Sequence, residues 1–194
     1  MIDFLASKIT ENLVKSSIIN EKIPVYRYGI ELLISSAIGI SLILTLGVIS
    51  NTFLEATVFL LLFIILRQQT GGYHSNTYVG CNTSFSIIYL ILVYIIKHRP
   101  VNESIFLVVM LISVIIIFEY SPIDNANKPL SKKQVDRHRM ISRVITLIIT
   151  IATIILYFYN SLLFFTTGYV LVSVASLLVL GRKEDSYATA RITP

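Results

Sequence analysis

Long apolar segments without charges constrain the fold of this chain more than any other feature of its sequence. Of its 194 residues, 55% are hydrophobic and only 14% are charged, whereas an average soluble domain has roughly 25% charged residues. The charged residues are gathered into a few stretches, so the apolar segments between them would be exposed to water on a soluble surface. The sequence therefore predicts an all-α integral membrane protein that forms a single polytopic domain.

Six apolar segments are candidates for membrane-spanning helices. They cover residues 28–50, 53–66, 85–96, 105–120, 141–159 and 162–180. The second and third fall short of the roughly 17 to 25 residues that a comfortable span requires. Those two segments either extend into neighbouring polar residues or flank a non-helical stretch that enters the membrane. About six transmembrane helices are expected, with a four-span arrangement as the alternative.

Two further segments are predicted at the membrane surface. Residues 1–27 place apolar side chains at helical spacing with charged residues between them, which predicts an N-terminal amphipathic helix in the headgroup plane. The apolar run that follows is too long for a signal peptide, so we expect this helix to remain in the mature protein. Residues 121–140 are rich in proline, lysine and arginine and predict an exposed basic loop or short surface helix.

The distribution of basic residues predicts the orientation. In a six-span arrangement, fourteen of the 16 lysine and arginine residues fall on the face that carries both termini and the segments 67–82 and 121–140. The positive-inside rule makes that face cytoplasmic, where a lone thiol stays reduced. The net charge of +5 suits anionic membrane lipids or an acidic peptide. Nucleic acid is not an expected partner, because no recognition motif is present.

The polar stretch at residues 67–82 contains the best indication of function. Cys81 is the only cysteine of the chain, and His74 precedes it by seven residues. An ionised thiol is a strong nucleophile, and an imidazole that titrates near neutrality is the side chain best suited to accept its proton. The pair therefore predicts acyl transfer through a thioester.

This chemistry requires the two side chains to meet. In one straight helix they would lie roughly 10 Å apart along the axis, whereas proton transfer requires contact at about 3 Å. The backbone must turn back between them, or His74 must meet Cys81 of a second chain. Gly71, Gly72 and Gly80 supply the backbone freedom for a turn. The apolar run after Cys81 places the thiol near a helix N-terminus, and the amides after Gly80 are candidate oxyanion donors.

Other interpretations of these residues stay open. A lone cysteine is commonly a small buried hydrophobe, but this one lies with a histidine in a polar, glycine-flanked stretch between two short apolar segments. Arg67 is either an anchor at the lipid headgroups or a clamp for the substrate. Glu31 would be costly if it faced lipid, so we expect it to face the bundle or reach a helix end. No metal or other cofactor is expected, because Cys81 and the three histidines are spread over different faces.

Arg67, Gly71-Gly72, His74 and Cys81, followed later by residues 127–130, resemble the signature of the accessory gene regulator B (AgrB) family. That family comprises membrane thiol endopeptidases of bacterial quorum sensing, and the resemblance extends to length, basic character and hydropathy profile. It implies that Cys81 is the nucleophile and His74 the base in removing the C-terminal tail of a small propeptide. A side chain within the peptide then captures the acyl-enzyme, giving a thiolactone or lactone ring.

The resemblance also implies the partners and the location. The substrate would be a short amphipathic propeptide whose acidic C-terminal tail is attracted to the basic segment, and the chain would lie in a bacterial cell membrane as a homodimer. The residues expected to bind this substrate are Arg67, Gly71, Gly72, Lys128, Lys132 and Lys133. Two rival functions are a small transporter in which Cys81 is incidental and a membrane scaffold whose basic loop recruits a partner.

Overall fold

A computed structural model describes most of the chain and shows seven α-helices within the described part. The described residues are 2–16, 23–73, 75, 77–99, 101–123 and 131–192, with side chains as far as residue 182. The helices are α1 (Ile2–Lys15), α2 (Ile23–Ile49), α3 (Phe53–Thr70), α4 (Tyr78–His98), α5 (Glu103–Tyr120), α6 (Lys132–Tyr159) and α7 (Ser161–Ile192). These ranges contain no strand, and the predicted all-α class is confirmed.

Helices α2 to α7 are the six that are long and apolar enough to cross a membrane. The prediction of about six spans is therefore confirmed. The two short apolar segments complete their crossings by extending into polar sequence, because α3 continues to Thr70 and α4 begins at Tyr78. Thr77 caps the start of α4, where its side chain accepts a hydrogen bond from the backbone of Gly80. Both segments form continuous helices. The four-span alternative required each of them to fold back within the membrane instead.

The N-terminal amphipathic helix is shorter than predicted. It comprises Ile2–Lys15, and the end of the predicted segment 1–27 already belongs to α2, which begins at Ile23. Pro24 is compatible with this start because a proline is tolerated in the first turn of a helix. Helix α1 packs on α2 and buries Ala6 and Thr10. The side chains of Phe4, Leu5 and Ile9 stay exposed, as expected for a helix whose other surface contacts lipid.

The predicted basic loop 121–140 also has different bounds. Helix α6 begins at Lys132, so residues 132–140 are helical and continuous with the span. Ser131 and Gln134 form a reciprocal capping box that satisfies backbone donors at this start. Lys128 lies outside the described residues, whereas Lys132 and Lys133 are exposed in the first turn of the helix.

Helix α7 forms the centre of the bundle. In its most apolar stretch 67% of the residues are buried, against 17% to 39% in the other five membrane-length helices. It packs against α3, α4, α5 and α6. Phe164, Phe165 and Leu171 are among its fully buried side chains. The Thr153 hydroxyl donates to Thr167 at 2.9 Å and joins α6 to α7, as polar side chains commonly do between helices in a membrane.

Candidate active site

The candidate active site lies where α3 ends and α4 begins. The predicted segment 67–82 is mostly helical at its two edges, and only residues 71–77 connect the helices. Arg67 therefore belongs to the last turns of α3 and Cys81 to the first turn of α4. His74 lies outside the described residues, so its contact with Cys81 stays a prediction. We call the end of the bundle that holds these residues the site end.

Aromatic packing sets the register between α3 and α4. The rings of Phe63 and Phe85 are 5.0 Å apart, and those of Phe59 and Phe85 are 5.8 Å apart. Arg67 follows Phe63 by four residues, and Cys81 precedes Phe85 by four. Because four residues are about one helical turn, Arg67 and Cys81 each lie one turn beyond the packed rings, at the same end of the bundle.

The guanidinium of Arg67 is turned inward rather than toward lipid headgroups. Its Nη2 donates a hydrogen bond to the backbone oxygen of Tyr73, and its Nη1 lies beside Gly72. Nη1 is buried and has no hydrogen-bond partner among the described residues. A buried donor without an acceptor is costly. This geometry disfavours the headgroup-anchor interpretation of Arg67 and leaves Nη1 without an acceptor.

The connection after α3 is held at both of its sides by backbone hydrogen bonds. The amide of Ile123 donates to the oxygen of Thr70 at 2.9 Å, and the amide of Tyr73 donates to Leu177 of α7 at 2.9 Å. The central helix and the end of α5 therefore shape this segment. Gly181 of α7 allows the close approach, since a Cβ there would lie 2.6 Å from the amide nitrogen of Tyr73.

Gly71 and Gly72 are required by this packing. Their φ angles are +65° and +115°, which residues other than glycine rarely adopt. A Cβ at Gly71 would overlap the backbone oxygen of Ile123, and one at Gly72 would overlap Nη1 of Arg67. The two glycines thus allow the chain to pass Arg67 and residues 121–123, while their predicted contact with substrate stays a prediction.

Cys81 is exposed in the first turn of α4, which confirms its expected position near a helix N-terminus. The amide of Gly80 donates to the Thr77 hydroxyl at 3.1 Å, and the amide of Cys81 donates to the Thr77 backbone oxygen at 2.9 Å. The thiol is accessible. The backbone amide of Cys81, which was expected to donate to an oxyanion, donates to the Thr77 oxygen instead. Among the described groups, Nη1 of Arg67 is the nearby donor without an acceptor.

Glu31 also lies in this region. The sequence indicated that its carboxylate would be costly if it faced lipid, but it did not indicate what the carboxylate contacts. Its carboxylate accepts one hydrogen bond from Tyr78 at 2.8 Å and another from Arg27 at 3.0 Å. Tyr78 is the first residue of α4, so Glu31 joins α2 to the turn that carries Cys81. A single carboxylate inside an apolar segment was the only available signal.

The basic start of α6 lies at the site end as well. Nδ1 of His138 and Oε1 of Gln69 are hydrogen-bonded at 2.8 Å, which joins α6 to the last turn of α3. Lys132 and Lys133 begin the same helix and are exposed. Exposed positive charge and the thiol are therefore at one end of the bundle.

These features define a polytopic α-helical membrane protein whose candidate site is built around one accessible thiol. The family model described as "Accessory gene regulator B" matches residues 6–180. The chain belongs to the accessory gene regulator B family, and the resemblance seen in the sequence is confirmed.

Curated relatives agree with this assignment. The chain is 33% identical over 153 residues to the "Putative AgrB-like protein 2" of Clostridium perfringens (strain 13 / Type A), covering 73% of this chain and 71% of the relative. It is 24% identical over 160 residues to the "Accessory gene regulator protein B" of Staphylococcus aureus (strain MRSA252), covering 82% and 84%. It is 29% identical over 143 residues to the protein of that name from Staphylococcus epidermidis, covering 72% of each chain. No solved structure matches the chain.

Proposed function

We propose that this chain is a membrane cysteine endopeptidase that cleaves the C-terminal tail of a small propeptide and promotes cyclisation of the remainder. Membership of the family supports a role in accessory gene regulation. The observation that carries the finer proposal is the exposed thiol of Cys81 in the first turn of α4, at the end of the bundle where the guanidinium of Arg67 is turned inward onto Tyr73. A nucleophile beside a fixed positive charge is suited to acyl transfer.

The reaction proceeds in two acyl transfers. His74 accepts the proton of the Cys81 thiol, and the sulfur attacks the scissile carbonyl carbon. The C–N bond breaks, His74 returns the proton to the leaving amine, and a thioester to Cys81 remains. A thiol or hydroxyl within the bound peptide then gives its proton to His74 and attacks that thioester; the C–S bond to Cys81 breaks, the released sulfur takes the proton back from His74, and a thiolactone or lactone ring is closed. The second transfer competes with hydrolysis, so it requires a held nucleophile and little water.

Two parts of the site suit these requirements. The rings of Phe63 and Phe85 pack together one turn below the sulfur, where they keep water out of the helix interface. Nη1 of Arg67 is the donor left without an acceptor, and we assign it to the oxygen of the substrate carbonyl as negative charge develops there. Gly71 and Gly72 assist by holding the connection close to Arg67.

The basic end of α6 supplies the docking surface in this proposal. Lys132 and Lys133 are exposed at the site end, and Lys128 precedes them in the sequence. An acidic propeptide tail is attracted to such a surface, and its amphipathic part lies along the membrane lipids. The excess of basic residues at this end orients the site and both termini toward the cytoplasm. A homodimer is part of the proposal if His74 and Cys81 act between chains.

Substitution of Cys81 tests the proposal. The substrate for this test is a short peptide with an amphipathic start, an internal cysteine or serine and an acidic end. In membrane vesicles the wild type should cleave it and form a hydroxylamine-sensitive adduct on Cys81, seen by mass spectrometry, since a thioester is the expected intermediate. Cys81→Ala should form neither product nor adduct while still inserting into the membrane. Cleavage by Cys81→Ala at the wild-type rate would exclude Cys81 as the nucleophile, and an absence of cleavage by the wild type would favour the transporter.

A further inference from the structure

A polar contact joins α2 to the first turn of α4. The Tyr78 hydroxyl donates to one carboxylate oxygen of Glu31 at 2.8 Å, and Nε of Arg27 donates to the other at 3.0 Å. The Glu31 side chain is only 12% exposed, whereas that of Arg27 is 49% exposed. Because both oxygens have a donor, the carboxylate is held in one orientation. Charge-assisted hydrogen bonds of this kind are stronger than those between neutral groups.

The first turn of α4 has little else to hold it. Helix α4 is the least buried of the six membrane-length helices. Val79 and Cys81 in that turn are exposed, and Gly80 has no side chain. Tyr78 lies three residues before Cys81, so the two side chains share one face of the helix within one turn. The Tyr78 hydroxyl bond to Glu31 is therefore the polar contact that fixes the turn bearing the thiol.

We infer that Glu31 and Tyr78 form a positioning pair that fixes the first turn of α4 and with it the Cys81 sulfur. Neither residue touches the reacting atoms, and both act through the orientation of the first turn of α4. The effect of the pair on cleavage rests on the proposed function, whereas its effect on the thiol does not. Breaking the pair should let the turn move and leave the sulfur without a fixed position.

The same helix offers a matched control. The Tyr89 hydroxyl bonds to the Thr52 hydroxyl at 2.8 Å, also through a tyrosine of α4. Tyr89 is eleven residues after Tyr78, which is about 16 Å along the helix. Tyr89→Phe and Tyr78→Phe each remove one hydroxyl and keep the ring. A general loss of helix packing would affect both variants, whereas loss of the positioning pair affects only Tyr78→Phe.

Alkylation of the thiol tests the inference without a substrate. Cys81 is the only cysteine, so a maleimide reagent reports on it alone in the purified full chain. Tyr78→Phe and Glu31→Ala should each speed alkylation about threefold, because a first turn released from α2 opens more often and exposes the sulfur to the reagent. The double variant should be no faster than either single variant, since both remove the same contact. Additive effects, unchanged rates or an equal effect of Tyr89→Phe would overturn the inference.

Cleavage kinetics provide the second measurement. Tyr78→Phe should lower kcat about tenfold and leave KM unchanged, because the misplacement affects the reacting atom rather than the docking surface. Glu31→Gln should retain more activity than Glu31→Ala, since the amide oxygen still accepts the Tyr78 hydrogen bond. A rise in KM alone, or no difference between the two Glu31 variants, would contradict a positioning role. Should Cys81→Ala prove active, the peptidase proposal fails, while the alkylation rates still test the pair.

Discussion

Helices α7 and α4 have nearly the same hydropathy but opposite environments. The most apolar stretch of α7 has a mean hydropathy of 2.1 and that of α4 has 1.9, so both helices are suited to a membrane. Yet α7 is surrounded by four other helices, while α4 is the least buried of the set. The comparison separates a framework helix, whose side chains are held by packing, from a site helix, whose accessible first turn carries the thiol. Hydropathy identifies a span but does not indicate which of these roles it has.

The largest effect should follow from removing the proposed base, His74. His74→Ala should lower cleavage by about 10³-fold or more, because the thiol then loses its proton acceptor. Membrane insertion and the thermal midpoint in detergent should stay at wild-type values. Quantified product from a propeptide assay measures the rate. Wild-type cleavage by this variant would remove His74 from the mechanism and require another proton acceptor for Cys81.

The second largest effect on cleavage should follow from removing the guanidinium of Arg67. Arg67→Ala should lower kcat by about 10² to 10³-fold, as expected for loss of one oxyanion donor. Arg67→Lys should recover little, because an ammonium cannot reach both the Tyr73 oxygen and the substrate as a planar guanidinium does. Arg143→Ala is the control, since this exposed arginine donates to the backbone of Phe118 away from Cys81. Equal losses in the Arg67 and Arg143 variants would indicate a general charge effect.

The third prediction contrasts the two helices directly. Leu171→Ala in α7 should lower the free energy of unfolding by about 2 to 4 kcal/mol, because a fully buried leucine leaves a cavity. Leu90→Ala in α4 removes the same atoms from a side chain that is 48% exposed, so its effect should be below about 1 kcal/mol. Unfolding in mixed detergent micelles measures both. Equal destabilisation would show that α4 is as much a framework helix as α7.

The smallest effect should come from the docking surface. Replacing Lys132 and Lys133 together by glutamine should raise KM about fivefold with little change in kcat, because exposed charge pairs contribute little and are screened. The difference from wild type should shrink as salt is added. A defect confined to kcat, or one that salt does not alter, would argue against electrostatic docking of an acidic tail.

Local patterns were sufficient for much of the fold. Apolar runs of membrane length indicated the six crossings, and the run after Cys81 indicated that the thiol begins a helix. Boundaries were less accurate where the pattern was ambiguous. The segments 1–27 and 121–140 each proved to be partly the start of a span, since Ile23 begins α2 and Lys132 begins α6. Charged residues at the ends of spans do not distinguish a surface segment from the first turns of a crossing helix.

The site depends more heavily on contacts between distant residues. Spacing alone left Arg67 as either an anchor or a clamp, and its inward orientation follows from packing of residues 71–73 against Ile123 and Leu177. Gly71 and Gly72 were expected to allow a turn, but the neighbours that exclude a Cβ come from the end of α5 and from Arg67. Glu31 has one partner within reach of a local pattern, Arg27, but its second partner, Tyr78, is 47 residues away.

Residence in the membrane, the number of helices and the chemical identity of the candidate nucleophile were already present in the order of the residues, because hydropathy, span length and thiol chemistry are local properties. The central position of α7 and the inward turn of Arg67 emerged only from the packed bundle. They depend on which helices become neighbours and in what register. That choice is made by interlocking side chains such as Phe63 and Phe85, whose contact no periodicity in a single segment specifies.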